Sequence, residues 1–234
     1  MKRFGAAVAA VLVAATAGCG TTLGTIDLPL PARQAGPAAV AQPPGDAAAA
    51  LAQLPVKGRA PKTGYAREQF GPAWKDVDRN GCDQRNDVLA RDLEGETFKS
   101  GTHDCIVLTG TLHDPYTATT IAFRRGPETS DDVQIDHVVA LSNAWQTGAQ
   151  QLDPATREQF ANDPLNLQAT DGPTNQAKGD ADAATWLPPN RGAWCGYAAR
   201  QVAVKTKYRL WATRAEHDAI ARILDTCPGQ PLPT

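Results

Sequence analysis

Val133-Gln134-Ile135-Asp136-His137-Val138-Val139-Ala140-Leu141 is the stretch on which the reading of this chain turns. Val133 to Ile135 is apolar, β-branched and alternating, which predicts a short strand. The strand ends at Asp136-His137. Adjacent residues on a strand point to opposite faces. At a strand end, where the chain turns, one side chain can reach a metal and its neighbour a water. Further on, Leu165 to Ala169 predicts another short strand that includes Asn166. Asparagine is disfavoured inside strands, so its amide is expected either to bond neighbouring backbone or to form a turn after Asp163-Pro164. Asp171-Gly172-Pro173-Thr174 then reads as a turn into a helix, with Thr174 as its cap. Asn175 and Lys178 lie three apart and share a face of that helix. Its N-terminus would favour an anion such as phosphate.

The elements around these residues are short and mixed. Trp74 to Arg91 predicts an irregular start followed by a helix that turns Val88 and Leu89 inward. Cys105–Thr111 and Thr119–Arg124 read as strands. Val138–Gln150 reads as one helix, and Asp153-Pro154 starts another that runs to about Phe160. Tyr197–Trp211 is a further helix. Thr213-Arg214-Ala215-Glu216 is a capping box opening the last one, with Ile220, Ile223 and Leu224 on one face. The expected fold class is α+β.

Asp136-His137, Asn166 and Asn175-x-x-Lys178, in that order, resemble the HNH-type, or ββα-metal, endonucleases. The flanks Asp114-Pro115-Tyr116-Thr117, Asn162-Asp163-Pro164-Leu165-Asn166-Leu167 and Gly172-Pro173-Thr174-Asn175 are similar to exported HNH-family proteins of bacteria. The resemblance covers most of residues 65–228. It implies a ββα-metal core with surrounding helices and short strands. Asp136 and Asn175 become metal ligands, and their oxygens suit Mg²⁺ or Mn²⁺ better than Zn²⁺. His137 becomes the general base that takes a proton from the attacking water. Asn166 orients the histidine's loop, and Lys178 neutralises phosphate charge. In the family's name-giving form the last motif position is His; here it is Asn175, which shifts the expected metal preference.

The first residues read as an export signal. Lys2 and Arg3 precede a short Ala/Val/Leu run, and Thr16-Ala17-Gly18 leads to Cys19. Small residues before a cysteine resemble a lipobox, with Thr16 where leucine is usual. The expected organisation is a signal peptide over 1–18, then a lipidated Cys19 with a disordered Ala/Pro-rich tether over 19–62. The nuclease domain occupies 63–228, and a tail follows over 229–234. The tether would span roughly 35 Å. Ordinary signal cleavage, releasing the protein, is the other reading. Either way the protein is exported, anchored on the outer face of the cytoplasmic membrane or secreted. The chain has five cysteines, odd for an exported protein, and a lipidated Cys19 leaves four to pair. Of three possible pairings, Cys82–Cys105 and Cys195–Cys227 are favoured because each closes a modest local loop.

With 23 basic and 25 acidic residues the chain is nearly neutral, unlike proteins that coat nucleic acid. Binding would need a local patch. No acidic residue occurs from Ala183 to Ala215, where Arg200, Lys205 and Lys207 alternate with aromatics. Arg124 and Arg125, just before the catalytic strand, could also reach phosphate. The expected partner is DNA, with RNA a further candidate. Membrane contact would come only through the lipid anchor, and no obligate protein partner is implied. The alternative is a noncatalytic surface lipoprotein that binds a polymer or protein on a degenerate nuclease scaffold.

Overall fold

The computed structural model describes residues 46–234. The signal segment, Cys19 and the first part of the expected tether lie outside the described residues. Within them the class is α+β, built from two small sheets and short helices.

Strands β1 (Leu93–Phe98), β2 (Val107–His113) and β3 (Thr120–Arg124) form one antiparallel sheet in that order. β2 and β3 lie where the sequence predicted strands. β1 was not anticipated, because Leu-Glu-Gly-Glu-Thr-Phe is poor strand sequence. It forms because Leu93 is buried and Gly95, at φ 63°, takes up a register shift between Glu94 and Thr97. Helix α2 (Gln84–Asp92) precedes it, capped by Asp83, and turns Val88 and Leu89 into the core as expected.

β4 (Val133–His137) pairs antiparallel with β5 (Leu167–Asp171) in a separate sheet, with His137 opposite Leu167 and Asp136 opposite Gln168. Both sheets share one apolar core, in which Leu112 and Phe123 meet Ile135 and Leu167. The end of α2 is stitched to β5: Asp92 Oδ2 accepts the Ala169 N–H at 2.8 Å, and Arg91 donates to the Leu167 carbonyl at 2.7 Å.

Helix α3 (Leu141–Gln146) and helix α4 (Pro154–Asn162) lie between β4 and β5, and α5 (Gly172–Lys178) follows β5 directly. The single helix expected over Val138–Gln150 is corrected to the shorter α3. The cause is Asn166, whose side chain engages both backbone groups of Val139 while its carbonyl accepts the Val138 N–H. That clamp withholds Val138 to Ala140 from a helix. The expected cap of α5 is also corrected: Asp171, not Thr174, accepts the Thr174 N–H at 2.8 Å. A Cβ on Gly172 would stand 2.1 Å from the Asp131 carbonyl oxygen, so only glycine lets α5 enter against the start of β4.

Helix α7 (Arg214–Leu224) matches the expected pattern, including the Thr213–Glu216 capping box, whereas helix α6 runs over Trp194–Lys207 and ends four residues before the expected Trp211, with Arg209 at φ 53°. Both favoured disulfides, Cys82–Cys105 and Cys195–Cys227, are formed. Each is worth about 2–4 kcal/mol.

The tether is the main correction. Residues 46–62 belong to the fold. Helix α1 (Ala47–Leu51) buries Ala47 and Leu51 against Val202, Ile220 and Leu224, joined by Leu54. Val56 bridges Ala212, and Arg59 pairs with Asp182 at 2.7 Å. Composition misled here: alanine is small enough for close helix contact, so few large side chains were needed. The tail is held as well, with Pro231 bridged to Asp46 and Leu232 on the same cluster. Among the described residues no helix is long and apolar enough to cross a membrane.

Leu51→Ala should therefore lower the unfolding free energy by about 2–5 kcal/mol. Urea denaturation of the full chain measures this; a loss below half a kcal/mol would mean that α1 does not dock.

Candidate functional site

β4, the start of α3 and α5 line a cleft of about 620 Å³ that includes Gln134, Asp136, His137 and Asn175. The opposite rim comes from the segment Tyr65 to Trp74 and from α2, which contribute Arg67, Trp74 and Arg85.

Asp136 is only 4% exposed and is engaged on both oxygens. Lys178 donates to Oδ1 at 2.9 Å and also to the His137 carbonyl at 2.9 Å. The Tyr116 hydroxyl donates to Oδ2 at 2.7 Å. Burial first, then the Asp136 charge, pushes the Tyr116 hydroxyl well above its ordinary value, so it stays a donor. Lys178 was expected to face phosphate. It is instead 2% exposed and spends its charge inside the fold. Its role is to fasten α5 to β4.

His137 donates from Nε2 to the Ala161 carbonyl at 2.8 Å. A carbonyl only accepts, so the proton is on Nε2 and Nδ1 keeps its lone pair. The Trp74 ring stacks over the imidazole with 6.3 Å between centroids and 14° between planes. Burial lowers the His137 pKa to about 4, against the Ala161 bond and the Asp136 charge, which raise it. The imidazole is therefore neutral at physiological pH.

Asn166 is wholly buried. It accepts the Val139 N–H on Oδ1 at 2.8 Å and donates to the carbonyls of Val139 and Phe160. It acts on the backbone just after His137. Asn175 donates to Gln134 Oε1 at 2.9 Å, which leaves its Oδ1 without a partner among the described residues.

The donor chemistry is that of a hard cation: one carboxylate, Asp136, and one amide oxygen, Asn175. No group of three His, Cys, Asp or Glu side chains that could hold an ion is found among the described residues. Mg²⁺ typically keeps several waters and binds through one or two carboxylates plus phosphate. Asn175 Oδ1 has no partner among the described residues, whereas a cation at Asp136 would have to share or displace the bonds from Lys178 and Tyr116.

The expected nucleic-acid contacts are largely corrected. Lys205 is fully buried, paired with Glu216 at 3.0 Å and bonded to the Trp211 carbonyl. Arg125 is held by Asn86 and the Val107 carbonyl. Arg200 donates to Gln168 at 2.6 Å, outside the cleft, and burial lowers its pKa. Lys207 pairs with Asp163 at 2.6 Å. Arg124 is exposed on β3, away from the cleft lining. Helix α6 buries one side, Lys205 included, and exposes the other, and sequence alone did not tell which face was inward. The cations that do line the cleft, Arg67 and Arg85, were missed. Arg67 makes no hydrogen bond or ion pair among the described residues, whereas Arg85 donates to the carbonyls of Ser130 and Val133. Tyr116, in the quoted Asp-Pro-Tyr-Thr motif, was also left without a role.

The His137 shift has a measurable sign. Below pH 6.5 the unfolded chain protonates this ring, whereas the folded chain refuses the proton until about pH 4. Its contribution to stability is complete above pH 6.5 and is lost as pH falls toward 4. Urea titrations should show wild type losing stability faster than His137→Gln across that window; parallel curves would contradict the burial. Lys178→Met should cost about 3–5 kcal/mol by leaving Asp136 unpaired, and an unchanged unfolding midpoint would contradict that.

A family model described as GmrSD restriction endonucleases, C-terminal domain, matches residues 83–223, more than half of the chain. A protein of Arthroderma benhamiae described as an uncharacterized secreted protein is 38% identical over 198 residues, covering 82% of this chain and 92% of that protein. No solved structure matches. The match spans β1 to β5, α5 and every residue of the cleft from Arg85 to Asp180, and on that extent the chain belongs to the family of GmrSD restriction endonuclease C-terminal domains.

Proposed function

We propose that the protein is an exported, metal-dependent endonuclease that hydrolyses phosphodiester bonds of DNA, with RNA a further candidate substrate, and with little sequence specificity. The observation that carries this reading is His137: a neutral imidazole, its tautomer fixed by the Ala161 carbonyl, lining a cleft shared with Asp136 and Asn175. The β4–β5–α5 arrangement supports a ββα-metal core, and the family match supports a nuclease.

In this reading Nδ1 of His137 takes a proton from water as the water oxygen bonds to phosphorus. The bond from phosphorus to the 3′-oxygen breaks, and that oxygen takes a proton from solvent. A phosphate beside the ring would favour the imidazolium that forms, offsetting the weak basicity that burial imposes. Asn166 holds the loop that aims the ring. Trp74 fixes the ring from its face, and Arg67 and Arg85 attract the phosphate backbone. Mg²⁺ or Mn²⁺ held by Asp136 and Asn175 would supply charge stabilisation at the phosphate. No base-reading motif is recognisable among the described residues, which is why no sequence preference is proposed.

Export is supported by the N-terminal signal pattern, by two disulfides and by the description of the Arthroderma benhamiae relative as secreted. Anchoring through lipid at Cys19 remains part of the proposal. One observation favours the noncatalytic alternative: both oxygens of Asp136 are already engaged by Lys178 and Tyr116.

Supercoiled plasmid incubated with the full, disulfide-bonded chain separates the two. Nicking is expected with Mg²⁺ or Mn²⁺, abolished by EDTA, and reduced about 10²–10⁴-fold in His137→Ala. Absence of cleavage on plasmid, single strands and RNA with every metal would leave the binding scaffold. Arg67→Ala should raise KM with little change in kcat; a fall in kcat alone would remove Arg67 from substrate binding.

A further inference from the structure

Two residues after Trp74 the chain reads Asp76-Val77-Asp78-Arg79-Asn80-Gly81-Cys82-Asp83-Gln84-Arg85-Asn86-Asp87. Oxygen-bearing side chains fall at the first, third, fifth, ninth and twelfth places, with glycine at the sixth. That is the spacing of a twelve-residue calcium loop, with Asp where the last ligand is more often Glu. The last four residues form the first turn of α2.

The backbone is already shaped as such a loop. Arg79 and Gly81 adopt positive φ, at 62° and 94°. Asp76 accepts the N–H groups of Asn80 and Gly81 at 3.2 and 2.9 Å. The Asn80 amide nitrogen stands between Asp78 and Asp87, at 3.3 and 3.1 Å. Its protons keep those carboxylates apart, so three carboxylates do not converge as they stand. None of Asp76, Asp78, Asp83 and Asp87 forms an ion pair with any Lys or Arg among the described residues.

A second observation is independent of the acidic side chains. Gln84, at the ninth place, is 0% exposed, and its Oε1 is buried with no hydrogen-bond partner. Its carboxamide abuts the loop, since Nε2 lies 3.0 Å from Asp87 Oδ2. A buried amide oxygen costs free energy unless something satisfies it. Because the oxygen and nitrogen of an amide are interchangeable by rotation, Oε1 can be presented to the same point as the Asp87 carboxylate. Two such oxygens can share a cation but not a hydrogen bond.

We propose that residues 76–87 bind one Ca²⁺ ion, held by Asp76, Asp78, Asn80 and Asp87, with Gln84 beside it. The site is separate from Asp136 and Asn175 and does not depend on the nuclease reading. Its place in the fold gives it a consequence. The loop joins Trp74, which stacks on His137, to Arg85, which lines the cleft, and the Gln84 N–H donates to the Trp74 carbonyl at 3.2 Å. The ion would hold that rim of the cleft in place.

Tb³⁺ luminescence excited through tryptophan tests this on the full chain. Trp74 lies two residues from the first ligand and is the expected sensitiser. One Tb³⁺ per chain should light and be displaced by Ca²⁺ with Kd of about 10⁻⁴–10⁻³ M, the range of weaker modules, since Asp replaces bidentate Glu. The signal should vanish in Asp78→Asn combined with Asp87→Asn and persist in Asp136→Asn. A circular dichroism spectrum matching wild type without metal checks that the double variant folds. Should it not fold, Asp78→Asn alone, at an exposed carboxylate, must weaken Ca²⁺ displacement about ten-fold or more. The proposal is overturned by signal that Ca²⁺ does not displace, by no signal at all, by an undiminished signal in the loop variants, or by its loss in Asp136→Asn.

Discussion

Burying the charge of Asp136 is the constraint around which this molecule is arranged. A lone carboxylate inside a protein costs several kcal/mol, and this one is met by Lys178 from α5 and Tyr116 from the turn after β2. Those two bonds tie two separate pieces of chain to the end of β4. A second buried carboxylate extends the network, since Asp114 accepts from Thr170 and from the Asp171 N–H on β5. The polar web fixes where β4 ends, and so where His137 points. Packing alone would not do this, because neither sheet is large enough to specify its neighbours.

On the other side of His137 a single side chain does comparable work. Asn166 binds backbone on both sides of the loop and stops a helix from starting at Val138. The extended Val138–Ala140 segment that results leaves the imidazole at the cleft, with the Ala161 carbonyl accepting the hydrogen bond from its Nε2–H. Stability and candidate chemistry thus rest on the same few polar groups. Substitutions there should disturb both, whereas changes at Arg67, whose side chain has no hydrogen-bond or ion-pair partner among the described residues, should leave the fold alone.

Much of the candidate site was legible because its residues are chemically distinctive and closely spaced. Asp136, His137 and Asn175 line one cleft, Asn166 binds the backbone beside it, and β4, β5, α4, α6 and α7 form close to where their patterns put them. Lys178 and Lys205 failed for one reason: a lysine's position in sequence does not reveal whether its ammonium meets water or a buried carboxylate. Residues 46–62 failed for another, since an alanine-rich helix buries a face with almost no hydrophobic signal. β1 was hidden by Glu94 and Glu96 on a strand that is largely exposed. The aspartates between Asp76 and Asp87 carried their spacing openly, but the buried Gln84 oxygen that gives the spacing meaning is visible only in three dimensions.

The central claim is that His137 supplies the base that activates water. Chemical rescue tests it most directly: His137→Gly should lose plasmid cleavage and regain it in proportion to added imidazole, at constant pH and metal. Cleavage by the variant at the wild-type rate without imidazole, or a folded variant that imidazole never restores while wild type remains active, would contradict the account.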